Sequence, residues 1–326
     1  MSNDHTPQHE LVIIGAGPAA LSAAIYTTRE DIETVLYERG VIGGLAAVTD
    51  IIDNYPGFSK GVTGLELADS LRDQAERFGA KIELGEVKSI TDEGAFKRLV
   101  TDSGELLTRA VLIATGSDYM RTGIPGEEKY YARGVHFCAT CDGAFYRDKK
   151  LVVIGGGNSA IQETLFLTRF ASHIDILVRS TLKASDVLIK EMQPFIDSGK
   201  ITLHIGVTPK EIVGDENGVN KVVGINKDSK EEDFNCDGVF VFIGLKPNTA
   251  FLKGSKVELD ARGFVITNQD LETAMPGVFA AGDVRSGATM QIASASGEGA
   301  TAALKIREYL EGRGREIKSA PLSVTS

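Results

Sequence analysis

One strand–glycine turn–helix–strand unit occurs twice in this chain, and few folds accommodate it. Leu11–Ile14 reads as an apolar strand entering Gly15-Ala16-Gly17-Pro18-Ala19-Ala20. An Ala-rich helix to about Thr28 follows, then a second strand, Thr34–Tyr37, that ends at Glu38. The same grammar returns at Leu151–Ile154, Gly155-Gly156-Gly157-Asn158-Ser159-Ala160, a helix through about Phe170, and Ile174–Val178 ending at Arg179. From first glycine to terminal charged residue the spacing is 23 positions in one copy and 24 in the other. A lone G-x-G-x-x-G is a weak signal, but each copy here follows a strand, opens a helix and meets a charge at the right distance. Glycines let a pyrophosphate approach the backbone, and the helix N-terminus supplies N–H donors and partial positive charge. Ala20 and Ala160 replace the last glycine, which strand–helix packing tolerates. The expected fold is α/β, with two Rossmann-like, three-layer (ββα) nucleotide-binding domains.

Two further apolar strands set the domain order. Ala110–Ala114 ends in Thr115-Gly116 and leads into an irregular stretch, Ser117 to Glu128. Val239–Ile243 ends in Gly244-Leu245-Lys246-Pro247-Asn248. Gly and Pro at both places suit a pair of crossings between domains. The second nucleotide unit is therefore expected to be inserted into the first, giving domains 1–118 with 248–326, and 119–247. The tail after Gly312 is polar and reads as loose.

Composition narrows the partners. A net charge of −10 disfavours nucleic acid or an anionic membrane, because phosphates are repelled. No apolar run approaches the roughly 18 residues of a membrane span, and Met1–Glu10 is too polar for a signal peptide, so the cytoplasm is the expected address. With only three cysteines the chain is no disulfide scaffold.

The charges ending the two units sort their ligands. Glu38 accepts hydrogen bonds from ribose hydroxyls and repels a 2′-phosphate, which suits FAD or NAD. Arg179 and Lys183 can pair with a 2′-phosphate, so the second site leans to NADPH. Between the two sites stands Cys138-Ala139-Thr140-Cys141-Asp142-Gly143. Two thiols at this spacing can close a disulfide with little backbone movement and so carry two electrons. A redox pair beside two nucleotide cofactors reads as a flavin-dependent disulfide reductase. Zinc is a poorer account, because a closed site wants four ligands and Cys236 stands alone in an apolar strand. No metal is expected. His136 points away from the pair if the segment is extended, and reads as structural.

With these residues in hand, the chain resembles the low-molecular-weight thioredoxin reductases over nearly its whole length. The carrying segments are the first glycine motif, Gly43-Gly44-Leu45, Asp53-Asn54-Tyr55-Pro56-Gly57, Ala114-Thr115-Gly116, the Cys138–Gly143 run, the Gly155 motif and the run from Pro276 to Asp283. The resemblance implies a homodimer that moves electrons from NADPH through FAD to thioredoxin. It implies FAD contacts from Gly15, Gly17, Pro18, Ala19, Glu38, Gly44, Leu45, Asn54, Val87, Ala114, Thr115, Gly116, Gly282 and Asp283. Gln291, Ile292 and Ala293 would lie against the flavin ring at the start of the last helix, whose positive end suits a negatively charged reduced flavin. From Ala295 onward the small residues, Gly297 among them, read as helix packing. For NADPH it implies Gly156, Gly157, Asn158, Ser159, Arg179, Ser180, Lys183 and Gly244.

The resemblance further assigns Cys141 to the flavin, Cys138 to the attack on thioredoxin, and Asp142 to acid–base work on the thiols. Taken as a residue alone, Asp142 also suits a turn before Gly143. Arg133 and Phe145 match positions that dock thioredoxin. Because disulfide and NADPH site share one domain and must both reach the same flavin, that domain is expected to rotate between two orientations. Two departures temper the match. The family's His-Arg-Arg run reads Val178-Arg179-Ser180 here, and Met290 stands where an Arg commonly precedes the flavin-contacting Gln. The first leaves NADPH, NADH and a ferredoxin-type donor open, with a peroxiredoxin-type partner or small dithiol as a further alternative.

Overall fold

The computed structural model describes residues 7–49 and 51–319, with side chains through Gly312. The described residues divide into two compact units. One runs to Asp118 and resumes at Lys246; the other is Tyr119–Leu245.

In the first unit, His9–Ile14 is the central strand. It pairs in parallel with Thr34–Glu38 on one side and Glu105–Ile113 on the other. Lys81–Leu84 extends the sheet beyond Thr34–Glu38. An antiparallel meander, Val87–Glu93 and Phe96–Thr101, extends it beyond Glu105–Ile113, and Val278–Ala280 also pairs with that strand. A strand covered on both faces reads as a continuous apolar run, and Leu11–Ile14 is one. Leu11 and Ile13 pack with Ala20, Ala24 and Ile306 on the helical face, while Val12 and Ile14 pack with Val87, Ile90 and Leu99 on the meander side. The period of two thus feeds two separate cores.

Helix Pro18–Arg29 begins with proline, which costs nothing where the N–H has no helical partner. Its alanines admit the last helix, Ile292–Ser319, at very close range. A Cβ on Gly299 would sit 2.1 Å from the Ala19 carbonyl oxygen, whereas one on Gly297 would meet nothing within 4 Å. The packing residue is therefore Gly299, and Gly297 faces open space, contrary to its reading as a helix contact. The last helix also continues to Ser319 where a loose tail after Gly312 was expected; residues beyond Ser319 lie outside the described part.

The second unit repeats the plan. Its five-stranded parallel sheet runs in the order Val135–His136, Gly238–Val241, Lys150–Ile154, His173–Val178, Ile201–Ile205. Leu151 and Val153 face helices Asn158–Leu167 and Asp186–Asp197 through Ile161, Leu167 and Met192. Val152 and Ile154 face an antiparallel sheet of Thr208–Asp215, Gly218–Ile225 and Glu231–Asn235 through Ile212, Val222 and Phe234. Each unit therefore has the three-layer arrangement of sheet, sheet and helices. The crossings are more regular than the sequence suggests, since Ser117–Tyr119 pairs with Leu245–Pro247 as a two-stranded ladder.

Candidate redox centre and nucleotide cradles

Both glycine turns use one device. Gly15 has φ +105°, and a Cβ there would lie 2.5 Å from the Ala114 carbonyl oxygen; Gly155 has φ +152°, and its Cβ would lie 2.4 Å from that of Phe242. In each unit the neighbouring strand end thus presses on the turn, and only glycine fits. Gly17 and Gly157 then stand at the N-caps of the two following helices, with no side-chain cap and no atom within 4 Å of a Cβ. The first amides of Ala19 in one helix, and of Asn158 and Ser159 in the other, are among the donors such a terminus leaves unsatisfied, and this fits a pyrophosphate.

The first cradle is tied down by its own carboxylate. Glu38 Oε2 accepts from the Ala16 N–H at 2.7 Å and Oε1 from the Gly40 N–H at 2.7 Å. Gly43 N–H donates to the Ala16 carbonyl at 2.7 Å, and a Cβ on Gly44 would come 3.7 Å from the Gly17 Cα, so the Gly44–Ala46 turn, with half-exposed Leu45, sits beside the cap. Ala114 N–H bonds to Ile14, Thr115 exchanges hydrogen bonds with Asn248, and the carbonyl of Gly116 accepts from the Asn248 N–H. Val87 is buried in the sheet core. Asn54 donates to Gln291 Oε1 at 3.1 Å, and the Gln291 carbonyl accepts from the Ala295 N–H, which places Ile292 and exposed Ala293 in the first turn of the last helix.

Asp283 is the informative member of this group. Glu298, held by Arg285 at 2.7 Å, accepts the Gly282 N–H and so fixes the turn carrying Asp283. Burial pushes the Asp283 carboxyl up to about 6, and the Glu298 charge adds to the shift. No side-chain hydrogen bond reaches Asp283 among the described residues. A half-buried carboxylate without a donor fits a ligand hydroxyl, as on a ribityl chain.

The second cradle keeps its charges free. Lys183 N–H donates to the Gly156 carbonyl at 2.7 Å and Ser185 N–H to Asn158 Oδ1 at 2.8 Å, folding the 179–185 segment over the glycine turn. Arg179, Ser180 and Lys183 are exposed there, and neither cation has an ion-pair partner among the described residues. Gly244, φ +123°, accepts the Met120 N–H and lies apart from this segment in sequence.

Cys138 and Cys141 form a disulfide with Cα atoms 5.3 Å apart. Cys138 caps the single helical turn Ala139–Asp142, its Sγ accepting from the Cys141 N–H at 3.2 Å. Gly143 pins the turn: a Cβ there would lie 2.8 Å from Leu167 of the adjacent helix. The reversal brings Asp142 back over the preceding strand, with Oδ2 3.2 Å from His136 Nδ1. His136 therefore points at the redox turn and not away from it, because the strand ends at His136 and the helical turn capped by Cys138 reverses the chain. Its Nε2 lies 2.7 Å from the Tyr146 hydroxyl, and its ring stacks on Phe240.

Glu163, also missed in the sequence, approaches the Ala139 amide; burial pushes its carboxyl up and that amide opposes the shift. Cys236 is buried as expected, although it lies between two strands and not within one, and burial pushes its thiol up to about 12. Phe145 is 55% exposed, and Arg133 is exposed and donates to the Glu216 carbonyl. Among the described residues no group of three or more His, Cys, Asp or Glu side chains is placed to hold a metal.

Two glycine turns at uncapped helix N-termini, ended by charges of opposite sign, and a disulfide on a constrained turn fit a nucleotide-dependent disulfide oxidoreductase. Comparison with known proteins agrees. The family described as pyridine nucleotide-disulphide oxidoreductase matches residues 9–299. Thioredoxin reductase of Bacillus subtilis is 39% identical over 95% of this chain and 98% of its own length, and that of Listeria innocua 40% identical over 96% of each. The crystal structure of thioredoxin reductase from Streptococcus pyogenes superposes with a TM-score of 0.88 at 37% identity, covering 93% of this chain and 98% of that one. The chain belongs to the pyridine nucleotide-disulphide oxidoreductases, in their thioredoxin reductase branch.

Proposed function

We propose that this protein is an NADPH-dependent thioredoxin reductase that works through FAD and the Cys138–Cys141 disulfide. The observation that carries the reading is the Cys138–Cys141 disulfide in a unit whose 179–185 segment folds over the glycine turn and leaves Arg179 and Lys183 exposed, without ion-pair partners among the described residues. Bound FAD supplies the two-electron relay between nicotinamide and disulfide. The discontinuous unit, 1–118 with 248–326, holds it. Its pyrophosphate rests on Gly15, Gly17, Pro18 and Ala19, with Gly44 and Leu45 beside it. Ribose meets the remaining lone pairs of Glu38, and a ribityl hydroxyl meets Asp283, next to Gly282. Val87, Ala114, Thr115 and Gly116 would complete the set of residues that hold it. Asn54 orients Gln291, which with Ile292 and Ala293 meets the ring.

The 119–247 unit takes NADPH at Gly156, Gly157, Asn158 and Ser159, with Arg179, Ser180 and Lys183 on the 2′-phosphate and Gly244 toward the nicotinamide half. Cys141 faces flavin and Cys138 attacks thioredoxin, whose docking uses Arg133 and exposed Phe145. The unit rotates between the two half-reactions. The large exposed side chains Val41, Val48, Ile51 and Leu65 support a homodimer, and no described helix is long and apolar enough to cross a membrane, in keeping with a cytoplasmic address.

The ferredoxin-type donor is less favoured because the 179–185 segment is hydrogen-bonded onto an intact glycine turn, and the peroxiredoxin-type partner because the relatives are thioredoxin reductases. Anaerobic stopped-flow mixing of the yellow protein with NADPH or NADH tests the donor. Bleaching of the flavin is expected to be faster with NADPH. Equal rates would mean that Arg179 and Lys183 do not read the 2′-phosphate, and no bleaching by either would overturn the pyridine-nucleotide donor.

A further inference from the structure

The thiol chemistry assigned above needs a proton to move at each exchange. When Cys138 attacks a thioredoxin disulfide, one S–S bond forms, another breaks, and the proton of the attacking thiol must reach the leaving thiolate. Attack by Cys141 on the mixed disulfide repeats this and restores the Cys138–Cys141 bond. Asp142, which follows Cys141 in the helical turn capped by Cys138, is the acid–base group assigned to the thiols, and it does not stand alone. His136 Nδ1 lies 3.2 Å from Asp142 Oδ2, and His136 Nε2 lies 2.7 Å from the Tyr146 hydroxyl. Burial raises the Tyr146 phenol well above its ordinary range, so it keeps its proton. A protonated phenol donates to Nε2, which leaves the N–H on Nδ1, facing Asp142. The stacked Phe240 ring and the edge of Tyr146 hold the imidazole in that orientation.

We propose that His136 is a positioning residue for Asp142: with its tautomer set by Tyr146, it fixes Oδ2 and shares the proton that Asp142 takes from the attacking thiol and returns to the leaving thiolate. Because a hydroxyl both donates and accepts, Tyr146 stays bonded when the imidazole takes a second proton. The other groups that face this cluster are Tyr131, which feels the Asp142 charge, Arg121 stacked on Tyr131 and Phe137, Glu163 at the Ala139 amide, and Cys236 and Asp237 near Tyr146. None of them touches the imidazole nitrogens.

The inference rests on the thioredoxin reductase reading, and its test separates the two. Flavin-loaded wild type, His136→Gln, Tyr146→Phe and Asp142→Asn are compared for thioredoxin reduction across the pH range, with flavin reduction by NADPH as the control for folding and loading. His136→Gln is expected to lower kcat on the order of tenfold, and Asp142→Asn by more. Loss of the proton-sharing imidazole is expected to move the alkaline limb of the His136→Gln profile to lower pH. Tyr146→Phe moves it the same way by less. A lower kcat with an unmoved limb, or no change, overturns the proposal. If wild type bleaches with NADPH yet leaves thioredoxin oxidised, the thioredoxin reading fails by itself. The pair is then judged by the pH dependence of disulfide exchange with dithiothreitol in the same variants, where the same shift is expected and its absence is decisive.

Discussion

The two glycine turns share a backbone and differ in how they use the charge at the end of the second strand. In the first, Glu38 accepts the Ala16 N–H of the turn through one oxygen and the Gly40 N–H beyond its own strand through the other, so the cradle is already tied down. In the second, Arg179 and Lys183 are exposed on a segment that is itself hydrogen-bonded down. A site ordered in advance loses little entropy on binding and suits a cofactor that stays; exposed cations on a firm base suit a dinucleotide that must arrive and leave. A repeated scaffold thus yields two ligand habits through one position, Glu38 in one copy and Arg179 in the other.

The largest expected effect tests whether the two turns serve different ligands. Gly15→Ala drives a Cβ into the Ala114 carbonyl at positive φ, and is expected to cost about 3 kcal/mol and to strip flavin from the purified protein. Gly155→Ala meets the Phe242 carbonyl in the same way and is expected to keep flavin while losing reduction by NADPH. Flavin content and urea midpoints decide between them; equal loss of flavin in both would break the comparison.

A smaller effect concerns the unsatisfied carboxyl in the first cradle. The Asp283 carboxyl is raised to about 6 in the folded protein, against an ordinary value of 3.8. The folded flavin-free protein then binds more protons than the unfolded chain between those values, so its stability falls as pH rises from about 4 to 6, by about 2 kcal/mol. Asp283→Asn should remove that slope. Loading with FAD should flatten it too, since a hydroxyl donor stabilises the ionised form; a slope unchanged by FAD would separate Asp283 from the cofactor.

The smallest effect sharpens the second cradle. Arg179→Ala is expected to raise KM for NADPH about tenfold, the loss of one exposed charge-assisted contact, and to leave KM for NADH unchanged. An equal rise for both would place Arg179 on the shared pyrophosphate.

Much of this was legible in the sequence because glycine and apolar period are strong local signals. Leu11–Ile14 and Leu151–Ile154 fall in central strands, and Gly15 and Gly155 stand where a side chain cannot. What was hidden depends on where the chain turns. His136 is six residues from Asp142, and only the helical turn begun by Cys138 brings them together. Gly297 and Gly299 are equivalent by composition, yet the registry of two packed helices leaves one open and presses the other on Ala19. Lys97 gives no sequence hint of burial, yet it is fully enclosed against Asp92, whose carboxyl is held well below the usual range by Lys97 and then Lys256. Glu38 reads from the sequence as a ribose acceptor, and nothing there shows that its two oxygens also bind the backbone N–H groups of Ala16 and Gly40.

Electrons from NADPH are expected to reach the Cys138–Cys141 bond. The direct measurement is anaerobic addition of NADPH to the flavin-loaded protein, followed by acid quench, alkylation of exposed thiols and peptide mass analysis. The prediction is two new alkylated thiols, at Cys138 and Cys141, with Cys236 labelled equally with and without NADPH. Bleached flavin with Cys138 and Cys141 still joined would contradict it.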